Sequence, residues 1–224
     1  MNIALICAMD FELIKIKEAG NLQQIHSIRG REITEVNYGR HTLYMGVCGV
    51  GKVNAANFTQ LLMDHFPVEL IVNTGIAGSL SEELGMLSMV VGTDIYYHDL
   101  PQDILEETYP FRPYFETSSA LVNMALAGIP QGVHSKAGAI ATGDDFIDSE
   151  EKKLRIISRT KAIACDMESV AVAQTAFSAK KDFLILRAIS DTADESYTGI
   201  YEDFKHQAAD ISVQTFLGFL EHLQ

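Results

Sequence analysis

The residues best placed to do chemistry in this chain are acids at the ends of apolar runs. Between 162 and 194 the sequence reads AIACDMESVAVAQTAFSAKKDFLILRAISDTAD. A short apolar run ends in Asp166-Met167-Glu168, an apolar helix pattern follows, and a strand-like run, FLILRAIS, stops at Asp191. Glu168 and Asp191 therefore stand where elements change type. In α/β sheets ligands bind at the carboxyl ends of strands, so both acids lie where chemistry is usually done. Taken singly, Asp191 reads as a turn cap and Glu168 as the start of a solvated helix. Taken together, with Arg187 inside the intervening apolar run, they point to a site. A third acid, Glu12, falls in the first helical turn after the N-terminal apolar run; alone it reads as a surface acid favoured by the helix dipole.

Composition narrows what such a site can serve. The chain has 224 residues, 47% hydrophobic and 21% charged, which fits one large α/β domain or two small ones. A net charge of −13 and a pI near 4.9 argue against a nucleic-acid partner, which wants a basic stripe. No apolar run is long enough to span a membrane, and the N-terminus lacks a basic leader. Cys7, Cys48 and Cys165 lie far apart in apolar runs, as reduced core thiols of a cytoplasmic protein would. They have no CxxC spacing and the seven histidines do not cluster, so no metal site is expected.

The elements that must position these residues alternate in type. Residues 2–8 (NIALICA) form a continuous apolar run, the mark of a strand covered on both faces. Asp10 is expected to cap the following helix. Residues 33–38 and 41–47 read as strands of a meander joined at Gly39-Arg40. Gly49 and Gly51 open an apolar helix and let backbone approach a ligand, but the spacing is neither GxGxxG nor GxxxxGK[ST]. Residues 70–74 read as a buried strand that ends in the small residues of GIAGS, and 89–97 as another, closing on a structural His98 with Asp99. Segment 100–115, rich in proline and aromatic residues, is expected to be a long irregular loop at a functional site or interface. Helices are expected at 118–127, 149–158 and 201–223, and a strand at 133–142, before the apolar Phe146 and Ile147. With no repeats and no linker, the alternation predicts one α/β domain, 1–224, with a mixed or mostly parallel sheet.

Several segments, in order, resemble the purine nucleoside phosphorylase/nucleosidase superfamily, and most the 5′-methylthioadenosine/S-adenosylhomocysteine nucleosidase branch. They are AMDFE at 8–12, GVGKVNAA at 49–56, NTGIAG at 73–78, His98-Asp99, GDDFI at 143–147, DME at 166–168 and RAISD at 187–191. The resemblance implies a three-layer α/β/α sandwich around a twisted mixed sheet, working as a homodimer with 100–115 near the partner subunit. It implies hydrolysis of an adenine N-glycosidic bond in a small nucleoside substrate, with no metal or organic cofactor. Asp191 then takes the position of the acid that protonates the purine N7, which a carboxyl can do if its pKa is raised. Glu12 takes that of the carboxylate that activates water on the opposite sugar face, and Arg187 that of a group assisting water and ribose. Glu168 corresponds to the residue gripping the ribose hydroxyls, with Met167 beneath the sugar and Ala77 and Gly78 approaching the substrate. Phe146 is to stack on adenine and the Ile147 backbone to read its edge; Met9, Val50 and Tyr201 are to line the 5′ region. Departures fall at Ile76, where the branch commonly has serine, at Gln102 and along 100–115, and bear on substrate choice. Rival readings are a phosphate-dependent phosphorylase, disfavoured by an acid at Glu12 where phosphate would sit, a hydrolase of another adenosine derivative such as aminofutalosine, and a non-catalytic nucleoside-binding protein.

Overall fold

The computed structural model describes residues 1–194 and 197–223, with side chains described at all of these except 197–200. Strand β1 (Asn2–Cys7) is the apolar run read from the sequence, and from Ile3 to Cys7 it is wholly buried. A 3-10 turn, Asp10–Glu12, leads to α1 (Ile14–Ala19). Three strands of a meander follow, β2 (Asn21–Ile28), β3 (Arg31–Tyr38) and β4 (His41–Val47). Then come α2 (Lys52–His65), β5 (Leu70–Ser79), β6 (Met89–Tyr97), α3 (Gln102–Glu107), β7 (Tyr114–Glu116) and α4 (Ser119–Ala127). The chain continues through β8 (Ser135–Thr142), α5 (Glu150–Thr160), β9 (Ala164–Asp166), α6 (Ser169–Ser178), β10 (Asp182–Asp191) and α7 (Tyr197–His222).

All ten strands join one mixed sheet, and part of it closes on itself. β5 runs parallel to β10, β10 antiparallel to β6, β6 parallel to β8, β8 parallel to β9, and β9 antiparallel to β5. That ring leaves no open edge among its five strands. From β5 the sheet extends through β1 and β4 to the β3–β2 hairpin, and β7 pairs on the margin of β6. Helices cover both faces. Phe58, Leu61 and Leu62 of α2 and Val170, Val172 and Ala176 of α6 fill the core on one side. Ile16 of α1, Leu121 and Val122 of α4, and Val213, Phe216 and Phe219 of α7 fill it on the other. The result is the three-layer α/β/α sandwich around a mixed sheet that the resemblance implied.

Four local expectations change. Strand β5 does not end at Thr74 but runs on through Ser79, because β10 pairs with it as far as Asp191 opposite Gly78. Asp10 does not cap a helix; Met9 holds the N-cap position in extended conformation, and α1 starts after Leu13 with no side-chain cap. The 100–115 segment contains helix α3 and the start of β7, which pairs with Asp94, Ile95 and Tyr96, rather than a continuous loop. The final helix begins four residues before its expected start at 201. Cys7, Cys48 and Cys165 are buried free thiols. Among the described residues no helix is long and apolar enough to cross a membrane.

Candidate active site

The closed ring and the turn after β1 surround a cavity of about 550 Å³. All twelve residues proposed for the site from sequence line it: Met9, Glu12, Val50, Ala77, Gly78, Phe146, Ile147, Met167, Glu168, Arg187, Asp191 and Tyr201. The β5–β10 register explains how two strands supply so much of it. Arg187 lies opposite Gly75, and Asp191 opposite Gly78 across a bulge. Both glycines make room for an acid: a Cβ on Gly75 would lie 2.6 Å from Glu12 Oε1, and one on Gly78 2.8 Å from Asp191 Oδ1. Helix α7 pins this part of β5, since Ser212 Oγ sits 2.5 Å from Thr74 Oγ1 and accepts from the Gly75 N–H at 3.1 Å.

Glu12 turns back over the chain that precedes it. Its Oε2 accepts the N–H groups of Ala8 and Met9, each at 2.9 Å. The residue is 2% exposed, and burial pushes its carboxyl up. The Met9 N–H, the Arg187 charge and further backbone donors partly offset that rise. Glu168 follows β9 at the entrance to α6, and its Oε1 accepts the Gly51 N–H at 2.9 Å. Burial, then the neighbouring Asp166 charge, push the Glu168 carboxyl up to about 7. Asp191 ends β10. Ser190 Oγ donates to its Oδ2 at 2.9 Å and the Ala193 N–H to its Oδ1 at 3.0 Å. Burial raises its pKa above the ordinary aspartate value despite those donors.

Arg187, expected to assist water and ribose, is 1% exposed, and its guanidinium is held by protein partners. Its Nε donates to Asp166 Oδ2 at 2.7 Å, its Nη1 to the carbonyls of Leu186 and Asn73 at 3.0 and 3.3 Å, and its Nη2 to Asn73 Oδ1. Asp166 is tied down in turn by Thr142 Oγ1 at 2.6 Å and by Ser169. Its part was missed in sequence: in Asp166-Met167-Glu168 both acids line the cavity, but Asp166 takes the guanidinium and Glu168 does not. An acid at a strand end facing an arginine inside a neighbouring apolar run was the available signal. Thr74, Cys165, Asp145, Ser190 and Glu202 also line the cavity unforeseen.

The remaining wall is apolar and aromatic. Phe146 and Tyr201 meet edge to face, 6.5 Å between centroids, and the Tyr201 hydroxyl lies 3.8 Å from Met9 Sδ. Val50 and Phe146 are both partly exposed at the margin. Three buried carboxylates and an aromatic wall can bind a nucleoside, orient its sugar and move protons at its glycosidic bond. Among the described residues no group of three His, Cys, Asp or Glu side chains is arranged to hold a metal ion.

A family model for the Phosphorylase superfamily matches residues 2–223. A 5′-methylthioadenosine/S-adenosylhomocysteine nucleosidase from Bacillus thuringiensis (strain Al Hakam) is 30% identical over 233 residues, covering 100% of both chains. The chain belongs to this superfamily, in the branch of the 5′-methylthioadenosine/S-adenosylhomocysteine nucleosidases. The S-adenosylhomocysteine nucleosidase of Streptococcus pyogenes, solved in complex with 5-methylthiotubericidin, is similar at a TM-score of 0.94 and 30% identity, over 100% of this chain and 98% of that one. Futalosine hydrolase of Helicobacter pylori strain 26695 is similar at a TM-score of 0.92 and 26% identity, over 100% and 98%.

Proposed function

We propose that this chain hydrolyses the N-glycosidic bond of 5′-methylthioadenosine, S-adenosylhomocysteine or both, releasing adenine and the thioribose product. The observation that carries the reading is that Glu12, Glu168 and Asp191 are all buried on the walls of one cavity. Cleavage at C1′ leaves an electron-rich purine and an oxocarbenium-like sugar. Asp191 acts as the acid, holding a proton that its buried surroundings favour and giving it to purine N7. Glu12 acts as the base on water below the sugar, with Ala8 and Met9 fixing one oxygen and leaving Oε1 toward Gly75. Glu168 grips the ribose diol, and its negative charge, when present, favours the cationic transition state. Arg187 acts through its charge: it pairs with Asp166 and lowers the carboxyls of Glu12 and Glu168 from where burial alone would put them. Phe146, Ile147, Ala77 and Gly78 receive the base, Met167 the sugar, and Met9, Val50 and Tyr201 the 5′ group.

A buried acid at Glu12 repels a phosphate dianion, which favours water as the nucleophile. A second reading, an adenine-releasing hydrolase of an aminofutalosine-like nucleoside, draws on the similarity to futalosine hydrolase and on Ile76, which brings no hydroxyl to the cavity wall. The enzyme works in the cytoplasm as a homodimer, with the α3–β7 segment toward the partner subunit; the exposed Tyr109 and Phe111 there suit such a contact. Adenine release from 5′-methylthioadenosine, S-adenosylhomocysteine, aminofutalosine and inosine, each with and without phosphate, tests the reading. Phosphate-independent release from either of the first two is expected. Release only with phosphate, or only from aminofutalosine, would replace it with the corresponding alternative.

A further inference from the structure

Two loops that reach the cavity are fastened to each other from behind. One is the turn at 49–51 before α2, whose Gly51 N–H reaches Glu168. The other is 143–147, which places Asp145, Phe146 and Ile147 on the cavity wall. Lys52, Asp99 and Asp144 link them. The Lys52 N–H donates to Asp144 Oδ1 at 2.8 Å, and the Asp144 N–H donates to Asp99 Oδ2 at 2.9 Å. Lys52 Nζ lies 2.5 Å from Asp99 Oδ2 and 3.7 Å from Asp144 Oδ2. Successive N–H groups therefore diverge, Gly51 toward Glu168 and Lys52 toward Asp144. Gly51 permits this at φ 96°, with an added Cβ only 3.1 Å from Asp144 Oδ1.

The link ends on a segment bonded to β8 and α5. The His98 N–H donates to the Thr142 carbonyl at 2.9 Å, and Arg159 donates to the carbonyls of His98 and Leu100, each at 3.2 Å. The His98 ring packs so closely on Gly143 that a Cβ there would lie 2.3 Å from it. The Lys52 ammonium is also held over Tyr97, 5.3 Å from the ring centroid, and the Tyr97 hydroxyl donates to Gln174 at 2.6 Å. Asp99 is thereby set between the end of β8 and helix α5.

We propose that Lys52, Asp99 and Asp144 are positioning residues that hold the Gly51 donor and the 145–147 wall in one register, so that the ribose-facing carboxylate and the base-facing wall are organised as a unit. This rests on the nucleoside-hydrolase reading above. Pre-set geometry of this kind lowers the cost of binding substrate, while Glu12 and Asp191 are anchored on other elements.

The test combines kinetics and amide hydrogen exchange on Lys52→Met, Asp99→Asn and Lys52→Arg. In each of the first two, KM for 5′-methylthioadenosine should rise about tenfold while kcat falls less than about threefold, the pattern of lost uniform binding. Exchange should quicken in 49–52 and 144–147 together, although each substitution touches only one part of the link. Lys52→Arg, which keeps the cation, should bring KM back to within about twofold of the wild type. A fall in melting temperature with KM unchanged, or exchange that quickens in one loop alone, would overturn the proposal. A wild-type protein that releases no adenine would instead defeat the functional reading, and coupled or uncoupled exchange would still decide the link.

Discussion

At one end of the cavity a carboxyl, Asp191, is met by neutral donors, the Ser190 hydroxyl and the Ala193 N–H. At the other, Glu12, Asp166 and Glu168 surround a single guanidinium, Arg187. Burial pushes Glu12, Glu168 and Asp191 up alike. What separates them is company. Arg187 pulls against the rise at Glu12 and Glu168, whereas at Asp191 the pull of Lys153 is weak and Asp194 pushes the other way. On the proposed mechanism, this difference in company suits one residue class to two tasks, a proton donated at Asp191 and a proton accepted at Glu12.

The comparison can be broken from either end. Asp191→Asn should cost the most, about 10²–10⁴-fold in adenine release, because an amide cannot donate a carboxylic proton. An unchanged circular-dichroism melt would show that the loss is chemical. Arg187→Met removes the cation and leaves Asp166 buried without its partner. Destabilisation of about 3–5 kcal/mol is expected, read as a lower urea midpoint. Glu12→Gln should lower hydrolysis by about 10²-fold with KM little altered, since an amide cannot take a proton from water. Near-normal turnover would remove Glu12 as the base.

The smallest effect concerns stability against pH. The Glu168 carboxyl is raised from 4.5 to about 7 in the folded chain. Its proton is held more tightly folded than unfolded, so its contribution is complete below about 4.5 and is lost as pH rises through about 7. The Glu12 and Asp191 shifts have the same sign. Glu168→Gln should therefore flatten the decline of melting temperature between pH 5 and 8 relative to the wild type. An equal decline in both proteins would show that Glu168 does not carry it.

Much of this was legible in sequence. Strand β6 matched its expected bounds, and β1 fell one residue short of them, because continuous apolar runs name buried strands directly. Glu12, Glu168 and Asp191 stand at element ends in the sequence itself, and the resemblance supplied most of the other residues that line the cavity. What was not legible depended on partners distant in the chain. GIAGS reads locally as a turn, yet β10 draws it into β5. Helix α3 has six residues, too few for a periodic signal among prolines and aromatics. The division of labour between Asp166 and Glu168 is fixed by Arg187, two elements further along. Nothing in a lysine after GVG reveals Asp99 and Asp144 as its partners, since the link forms only once three loops are folded together.

The most direct test is the pH dependence of kcat/KM for adenine release from 5′-methylthioadenosine by the wild type and by Asp191→Asn. A bell is expected for the wild type, its alkaline limb set by loss of the Asp191 proton, with residual activity lacking that limb in the variant. An alkaline limb of the same shape in Asp191→Asn would mean that the proton comes from another group, and the contrast between the two ends of the cavity would not be the source of catalysis.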